Sequence, residues 1–149
     1  MNQQVLLTSA MNVDDFLKRY QAGQRNFKGV NLIGSYLNGV NLSGATLKGA
    51  SLSEVDLSKA NLVGVDLTEA SLVRANLTGA NLTGANLSGA NLFEAKLTGA
   101  ILDGAELKMA DLIDADFTAA NLQGANLYGA YMMGTVLQGA IMPDGTING

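Results

Sequence analysis

The sequence contains no cysteine and no histidine among its 149 residues. Without cysteine there is neither a disulfide framework nor thiol chemistry, so cysteine usage leaves the redox compartment open. Because histidine is also absent, an enzyme built on this chain would have to use paired carboxylates as its general acid and base.

Positive charge and long apolar runs are also scarce. The net charge is −4, and Lys and Arg are thinly scattered, so no basic stripe is available to neutralise a phosphate backbone. The N-terminus has no cationic start, and its apolar stretch Val5, Leu6 and Leu7 is too short for a signal peptide or a membrane span. We therefore expect no direct nucleic-acid binding, no membrane span and a cytoplasmic location.

A five-residue repeat runs without a slip from Asn26 to Asn148. It is clearest in ANLTGANLTGANLSGANLFE, at residues 75 to 94. The central residue of each pentad falls at Phe27, Leu32, Leu37 and so on to Ile147, which gives 25 pentads. A short fixed period of this kind is typical of a stacked solenoid.

The residue types predict which positions face inward. The central residue is Leu in 20 of 25 pentads and is otherwise large and apolar, and the residue two before it is Ala in 17 and Val in four. Residues two apart in an extended segment share a face, so both should point inward. The polar residue between them then faces out. Gly stands two residues after the centre in 16 pentads, as suits a type II turn, whose third residue needs a positive φ.

Outward-facing residues indicate four pentads per coil. At a spacing of 20 the residues after the centre form one mostly apolar set, whereas a spacing of 15 mixes apolar and charged residues. Stacking at about 4.8 Å per coil then predicts about six four-sided coils and a rod roughly 30 Å long, without room for a ligand channel. The apolar set is Ile33, Ser53, Val73, Phe93, Ile113 and Met133.

The repeated small–Asn/Asp–Leu–Ser/Thr–Gly motif resembles the pentapeptide-repeat family over residues 25 to 149. This resemblance implies an all-β fold, a right-handed quadrilateral β-helix. We therefore expect two parts: an N-terminal segment, 1–24, and the repeat domain, 25–149. Departures from the small inward residue occur near the two ends, at Arg25, Ser35, Thr135 and Gly145.

A short helix over about residues 13 to 22 is predicted before the repeats. Asn12 is a suitable N-cap and Gly23 a suitable stop. An apolar face on this helix would cover the open first coil, and docking of another protein is the alternative. The face consists of Val13, Phe16, Leu17 and Tyr20.

The last coil carries apolar residues at outward positions and needs a cover. Either the tail folds back through a turn at Pro143, Asp144 and Gly145, or two copies of the chain associate end to end as a homodimer. Both alternatives remain open on the sequence. The candidate end-contact residues are Tyr128, Tyr131, Val136 and Ile141, beside Met133.

One side of the rod is the second candidate contact surface. We call Ile33, Val73, Phe93, Ile113 and Met133 the ridge; charged residues flank it where other sides mostly have Gly. An apolar strip with a charged rim is a common form of protein contact site. The alternative is that the ridge only stabilises cross-strand packing. The flanking residues are Glu54, Arg74, Glu94 and Asp114.

Catalytic, cofactor and metal sites are not expected. The acidic residues at outward positions are spread over three sides of a convex rod, and the glycine–aspartate pattern of calcium-binding solenoids is absent. A threonine column, Ser58, Thr78, Thr98 and Thr118, lacks the second column that ice binding would need. The acids in question are Asp56, Asp66, Glu106, Asp111 and Asp116.

Two function classes then remain. Some members of the family that this chain resembles are similar to duplex DNA in size and charge, bind DNA gyrase and protect it from quinolones. This chain is shorter, mildly charged and without their C-terminal helix, so that function is the alternative. We predict a non-catalytic module that presents a rigid surface to a protein partner, like the many family members in cyanobacteria, one of which regulates heterocyst differentiation.

Overall fold

The chain is described from a computed structural model over residues 9–149. Residues 1–8, with the apolar stretch Val5, Leu6 and Leu7, lie outside the described residues. Within these residues an α-helix, α1, spans Val13–Gln21, and the pentads follow it. No helix in the described part of the chain is long and apolar enough to cross a membrane.

The pentads stack through parallel bridges between residues 20 apart. Asn31 pairs with Ser51 and Ser51 with Ser71, and the same step recurs on every side up to Asn121 and Ile141. One coil therefore contains four pentads, and its four sides are named after their first central residues. They are the Phe27, Leu32, Leu37 and Leu42 faces.

The core consists of two stacks of inward-facing residues on each face. The central residues from Phe27 to Leu122 are at most 1% exposed, and so are the inward residues from Ala45 to Ala120. Burying each leucine side chain contributes about 1.5–3 kcal/mol, so the repeated layers carry most of the hydrophobic stabilisation. The inward positions predicted from the repeat are confirmed for this range.

The pentad around Leu82 pairs all five of its backbone N–H groups. In the pentad around Leu82, the N–H of Leu82 and of Gly84 donate to the next coil, at 2.6 and 2.9 Å, and the N–H of Asn81 donates to the previous coil at 2.9 Å. The N–H of Ala85 closes the corner on Leu82 O at 3.0 Å. The N–H of Thr83 donates to Asn81 Oδ1 at 3.1 Å, so the outward Asn supplies an acceptor that the ladder does not.

The corners have the positive φ that the glycine pattern predicts. Gly84, for example, has φ +66°, and its successor closes the turn. Eight residues with side chains adopt the same conformation, which is unfavourable for L-amino acids. They are Glu54, Lys59, Glu69, Arg74, Glu94, Met109, Asp114 and Ala119.

Helix α1 begins and ends with ordinary capping groups. The side chain of Asn12 accepts the N–H of Asp14 and of Asp15, which satisfies two unpaired donors of the first turn. Ala22 is the C-cap, and Gly23 follows with φ +104°.

The apolar side of α1 packs on the first coil. Phe16 is fully buried, and its ring lies 4.6 Å from that of Phe27 in an edge-to-face arrangement. Tyr20 donates its hydroxyl to Ser43 O at 2.8 Å, while Arg25 stacks on the Tyr20 ring at 3.8 Å. The helix thus covers apolar side chains and also satisfies a carbonyl at the edge of the coil.

The C-terminal tail folds back on the Leu42 face. Gly145 N–H closes a turn on Met142 O at 2.8 Å, and Ile147 then pairs antiparallel with Ile141. This agrees with the predicted turn at Pro143, Asp144 and Gly145. The repeat pattern also predicts that Ile147 points inward, and that is wrong: its side chain is 71% exposed, because the chain has reversed before reaching it.

Candidate protein-interaction surfaces

The ridge residues lie on one face, as the spacing of 20 predicts. Ile33 and Met133, at its two ends, are exposed, whereas Val73, Phe93 and Ile113 between them are half-buried. The middle of the ridge is therefore a low apolar strip, which suits contact with a broad surface more than insertion into a pocket.

The corner beside the ridge is unusual in its backbone. Glu54, Arg74, Glu94 and Asp114 are all exposed there, with φ between +55° and +58°. We call these four residues the charged corner. On the Leu42 face the equivalent residues from the first coil to the fifth are all glycine: Gly44, Gly64, Gly84, Gly104 and Gly124.

The charged corner costs stability without an offsetting contact of similar size. A left-handed conformation costs an L-residue roughly 1–2 kcal/mol. Arg74 Nε and Glu94 Oε2 form an ion pair at 2.9 Å, but both side chains are about half exposed, and such pairs contribute only about 0–1 kcal/mol. Unfavourable backbone conformations that packing does not explain are candidates for function.

Asp114 also limits the next corner. A Cβ atom at Gly134, whose φ is +71°, would overlap Asp114 Oδ1. The side chain of Asp114 therefore lies over Gly134, and the charged corner ends where the last coil begins.

The end of the last coil exposes large apolar side chains. Tyr128 is 77% exposed, Met133 78% and Tyr131 55%, and Val136 is also exposed. Below them the central residues Leu127, Met132 and Leu137 are only partly buried, in contrast to their equivalents in the earlier coils.

Ile141, also predicted for this end contact, pairs with the C-terminal tail. Met142 N–H donates to Thr146 O at 2.7 Å, and Asn148 N–H donates to Ala140 O at 2.8 Å, so the tail continues the strand edge on both sides of Ile141. Ile141 is therefore part of the closure of the Leu42 face.

Some backbone groups at this end have no partner among residues 9–149, and the sequence did not predict them. On the other three faces, N–H and C=O groups that pair in every earlier coil have no hydrogen bond within residues 9–149. The one sequence signal for such an edge is the replacement of Asn or Asp by Tyr131 and Val136. The unpaired groups are the N–H of Leu127, Gly129, Met132, Gly134 and Leu137 and the C=O of Ala125, Ala130 and Thr135.

The carboxylates do not form a catalytic pair. The Asp56 carboxylate accepts the hydroxyl and the N–H of Ser58, and Asp116 has the same two bonds from Thr118, which lower the pKa of both carboxyls. A general acid at neutral pH needs a raised pKa. No group of acidic side chains in residues 9–149 is arranged to hold a metal ion.

A cleft of about 330 Å³ lies between α1 and the first coil. Its only ionisable side chain is Tyr20, whose hydroxyl already donates to Ser43 O. The cleft therefore offers no acid–base pair. The lining residues are Leu17, Tyr20, Gln21, Val40 and Asn41.

The charges do not line up as an acidic stripe. In the charged corner Arg74 separates Glu54 from Glu94. On the Phe27 face, lysine follows the central residue in three pentads, at Lys28, Lys48 and Lys108. Within the described residues, the arrangement lacks the continuous negative charge that imitation of a DNA backbone requires.

Comparisons with known proteins agree with this architecture. The family model described as "Pentapeptide repeats" matches residues 26–62, 60–99, 90–118 and 110–144, in eight copies. The crystal structure of the pentapeptide-repeat protein Rfr23 from the cyanobacterium Cyanothece 51142 is 30% identical, with a TM-score of 0.64, and the alignment covers 84% of this chain and 95% of Rfr23. The comparison with curated proteins yields no match.

Two further solved structures match this chain with less agreement. HetL from Nostoc sp. strain PCC 7120, described as involved in heterocyst differentiation regulation, is 30% identical over 93% of this chain and 100% of HetL, with a TM-score of 0.38. QnrB1, a plasmid-mediated fluoroquinolone resistance protein, is 20% identical over 80% of this chain and 66% of QnrB1, with a TM-score of 0.52. On the family match and the likeness to Rfr23, this chain belongs to the pentapeptide-repeat family, and its solved neighbours include cyanobacterial members.

Proposed function

We propose that this protein is a non-catalytic interaction module that binds a protein partner through the ridge and the charged corner. The observation that carries the proposal is the charged corner itself. Four consecutive coils place a charged side chain in a left-handed conformation beside an apolar strip, where the Leu42 face uses glycine.

The chemistry of the surface indicates the kind of partner. The ridge offers apolar contact, and its rim alternates negative and positive charge through Glu54, Arg74 and Glu94. Mixed charge around an apolar centre favours a protein surface with complementary charges, since such rims mainly provide specificity.

The rest of the proposal follows from the family's form and from the residues available. We take the rod to be a right-handed quadrilateral β-helix of about six coils, closed by α1, and we place it in the cytoplasm. No catalytic function is proposed, because the acidic side chains are dispersed and two of them have lowered pKa values.

Affinity capture from an extract of the source organism tests the proposal. The wild type is compared with Phe93→Glu, which puts a charge at the centre of the ridge. Val63→Glu is the matched control, because Val63 follows a central residue in the same way on the Leu42 face and is 37% exposed.

We expect one set of proteins to be retained by the wild type and by Val63→Glu and lost with Phe93→Glu. Circular dichroism must show that both variants are folded. Equal retention by all three proteins would contradict the ridge as the binding surface. Retention of DNA gyrase that is insensitive to Phe93→Glu would favour the alternative function instead.

A further inference from the structure

The open end of the last coil presents a strand edge that matches itself. On the Leu32 face, Ala130 C=O and Met132 N–H are unpaired within the described residues, and Tyr131 lies between them. A residue flanked in this way forms an antiparallel pair with another of the same kind, since each N–H meets the opposite C=O.

The protein already uses this pairing once, on the opposite side of the same coil. There Ala140 C=O and Met142 N–H flank Ile141, and the tail pairs with both in antiparallel orientation around Ile147. The tail thus shows that an antiparallel strand can pair with this kind of edge. It also leaves the Leu32 face open.

From these relationships we propose that two copies of the chain associate end to end about a two-fold axis at Tyr131. Met132 N–H of each copy donates to Ala130 C=O of the other, and the two Tyr131 residues lie opposite each other. This association uses the end of the rod and shares only Met133 with the ridge.

The side chains at the end fit this register. An antiparallel pair centred on Tyr131 puts Tyr128 of one copy opposite Gly134 of the other, and Met133 opposite Gly129. Tyr128 and Met133 therefore each meet a residue without a side chain. Association would cover Tyr128, Tyr131 and Met133, which are among the most exposed large apolar side chains of the described chain.

The position of the tail selects this edge over the two neighbouring ones. The tail adds a strand on the Leu42 face, so the rod extends further along its axis on that side. The Leu32 face lies directly opposite, so a pair formed there keeps both tails as far as possible from the contact. Both ridges then lie on the same side of the dimer and join into one longer strip.

Light scattering coupled to size exclusion tests the association in the intact chain. We expect about 31 kDa, twice the monomer mass of 15.4 kDa, at micromolar concentration. Tyr131→Glu places two carboxylates face to face and should give the monomer mass. Tyr36→Glu is the control, because Tyr36 holds the same pentad position near the other end and is 79% exposed.

A cysteine substitution tests the register directly, since the chain contains no other cysteine. Opposed residues in such a pair have Cα atoms about 4.5 Å apart, which is within the range that a disulfide spans. Under mild oxidation Tyr131→Cys should form a covalent dimer much faster than Tyr36→Cys. A wild-type monomer, or a dimer that persists in Tyr131→Glu and does not cross-link at this position, would overturn the proposal.

Discussion

Arg74 Nε donates a 2.9 Å hydrogen bond to Glu94 Oε2, and the two residues hold the same corner in successive coils. Both have positive φ, at +57° and +55°. The ion pair therefore joins two residues whose backbone conformations each destabilise the fold. The charged surface of this corner is kept at the expense of stability.

Replacing a charged-corner residue by glycine should stabilise the protein. Glu54→Gly removes roughly 1–2 kcal/mol of strain from the left-handed backbone conformation. It also raises the conformational-entropy cost of folding by about 0.5–1 kcal/mol. We expect a net gain of about 0.5–1 kcal/mol in the free energy of unfolding, measured by denaturant titration. Arg74→Gly should gain less, because it also removes the ion pair. A loss of stability in Glu54→Gly would refute the strain argument.

The middle of the core should be sensitive to truncation. Leu87 is fully buried, so Leu87→Ala should lower the free energy of unfolding by about 2–5 kcal/mol. Thr83→Ser, which keeps the hydroxyl that bonds to Asn81 Oδ1, should change it by less than about 0.5 kcal/mol. Similar losses in the two variants would contradict the assignment of inward and outward positions.

The Thr118 hydroxyl should make a pH-dependent contribution to stability. It donates to Asp116 Oδ1 at 2.5 Å and, with the Thr118 N–H, lowers the pKa of Asp116 from 3.8. Because the folded-state pKa is the lower one, the stabilisation is present above the unfolded value and is lost as pH falls through the folded value. Thr118→Val should therefore destabilise the protein more at pH 7 than at an acidic pH below the folded-state pKa of Asp116.

Thr83→Val is the matched control for this pH effect. Thr83 donates its hydroxyl to Asn81 Oδ1, a neutral acceptor, at 2.6 Å. Loss of the Thr83 hydroxyl should lower the free energy of unfolding by the same amount at pH 7 and at the acidic pH. NMR titration of the Asp116 carboxyl should show a higher pKa in Thr118→Val, and an unchanged value would contradict the assigned cause.

Much of the architecture was predictable because side-chain size and polarity repeat with the coil. The alternation of Ala85 and Leu87 with polar residues fixes which side chains are inside, and Gly84 marks a corner. The spacing of the ridge residues also predicted that pentads 20 residues apart lie on the same face.

The two ends were less predictable, because their structure depends on backbone groups that the sequence does not display. Ile147 fits the repeat by type, yet it lies outside the core because a turn after Met142 reverses the chain. The unpaired N–H of Met132 likewise depends on where the stack stops. The strain of the charged corner emerged only from the observed φ angles, although the missing glycines indicated where to look.

The central claim is that the charged corner serves binding at the expense of stability. The direct test is to replace Glu54, Arg74, Glu94 and Asp114 together by glycine and to measure both stability and partner capture. The control replaces the other four left-handed residues, Lys59, Glu69, Met109 and Ala119, by glycine. We expect both variants to be more stable than the wild type and only the first to lose the captured proteins. Full retention of those proteins by a folded, more stable corner variant would contradict the claim.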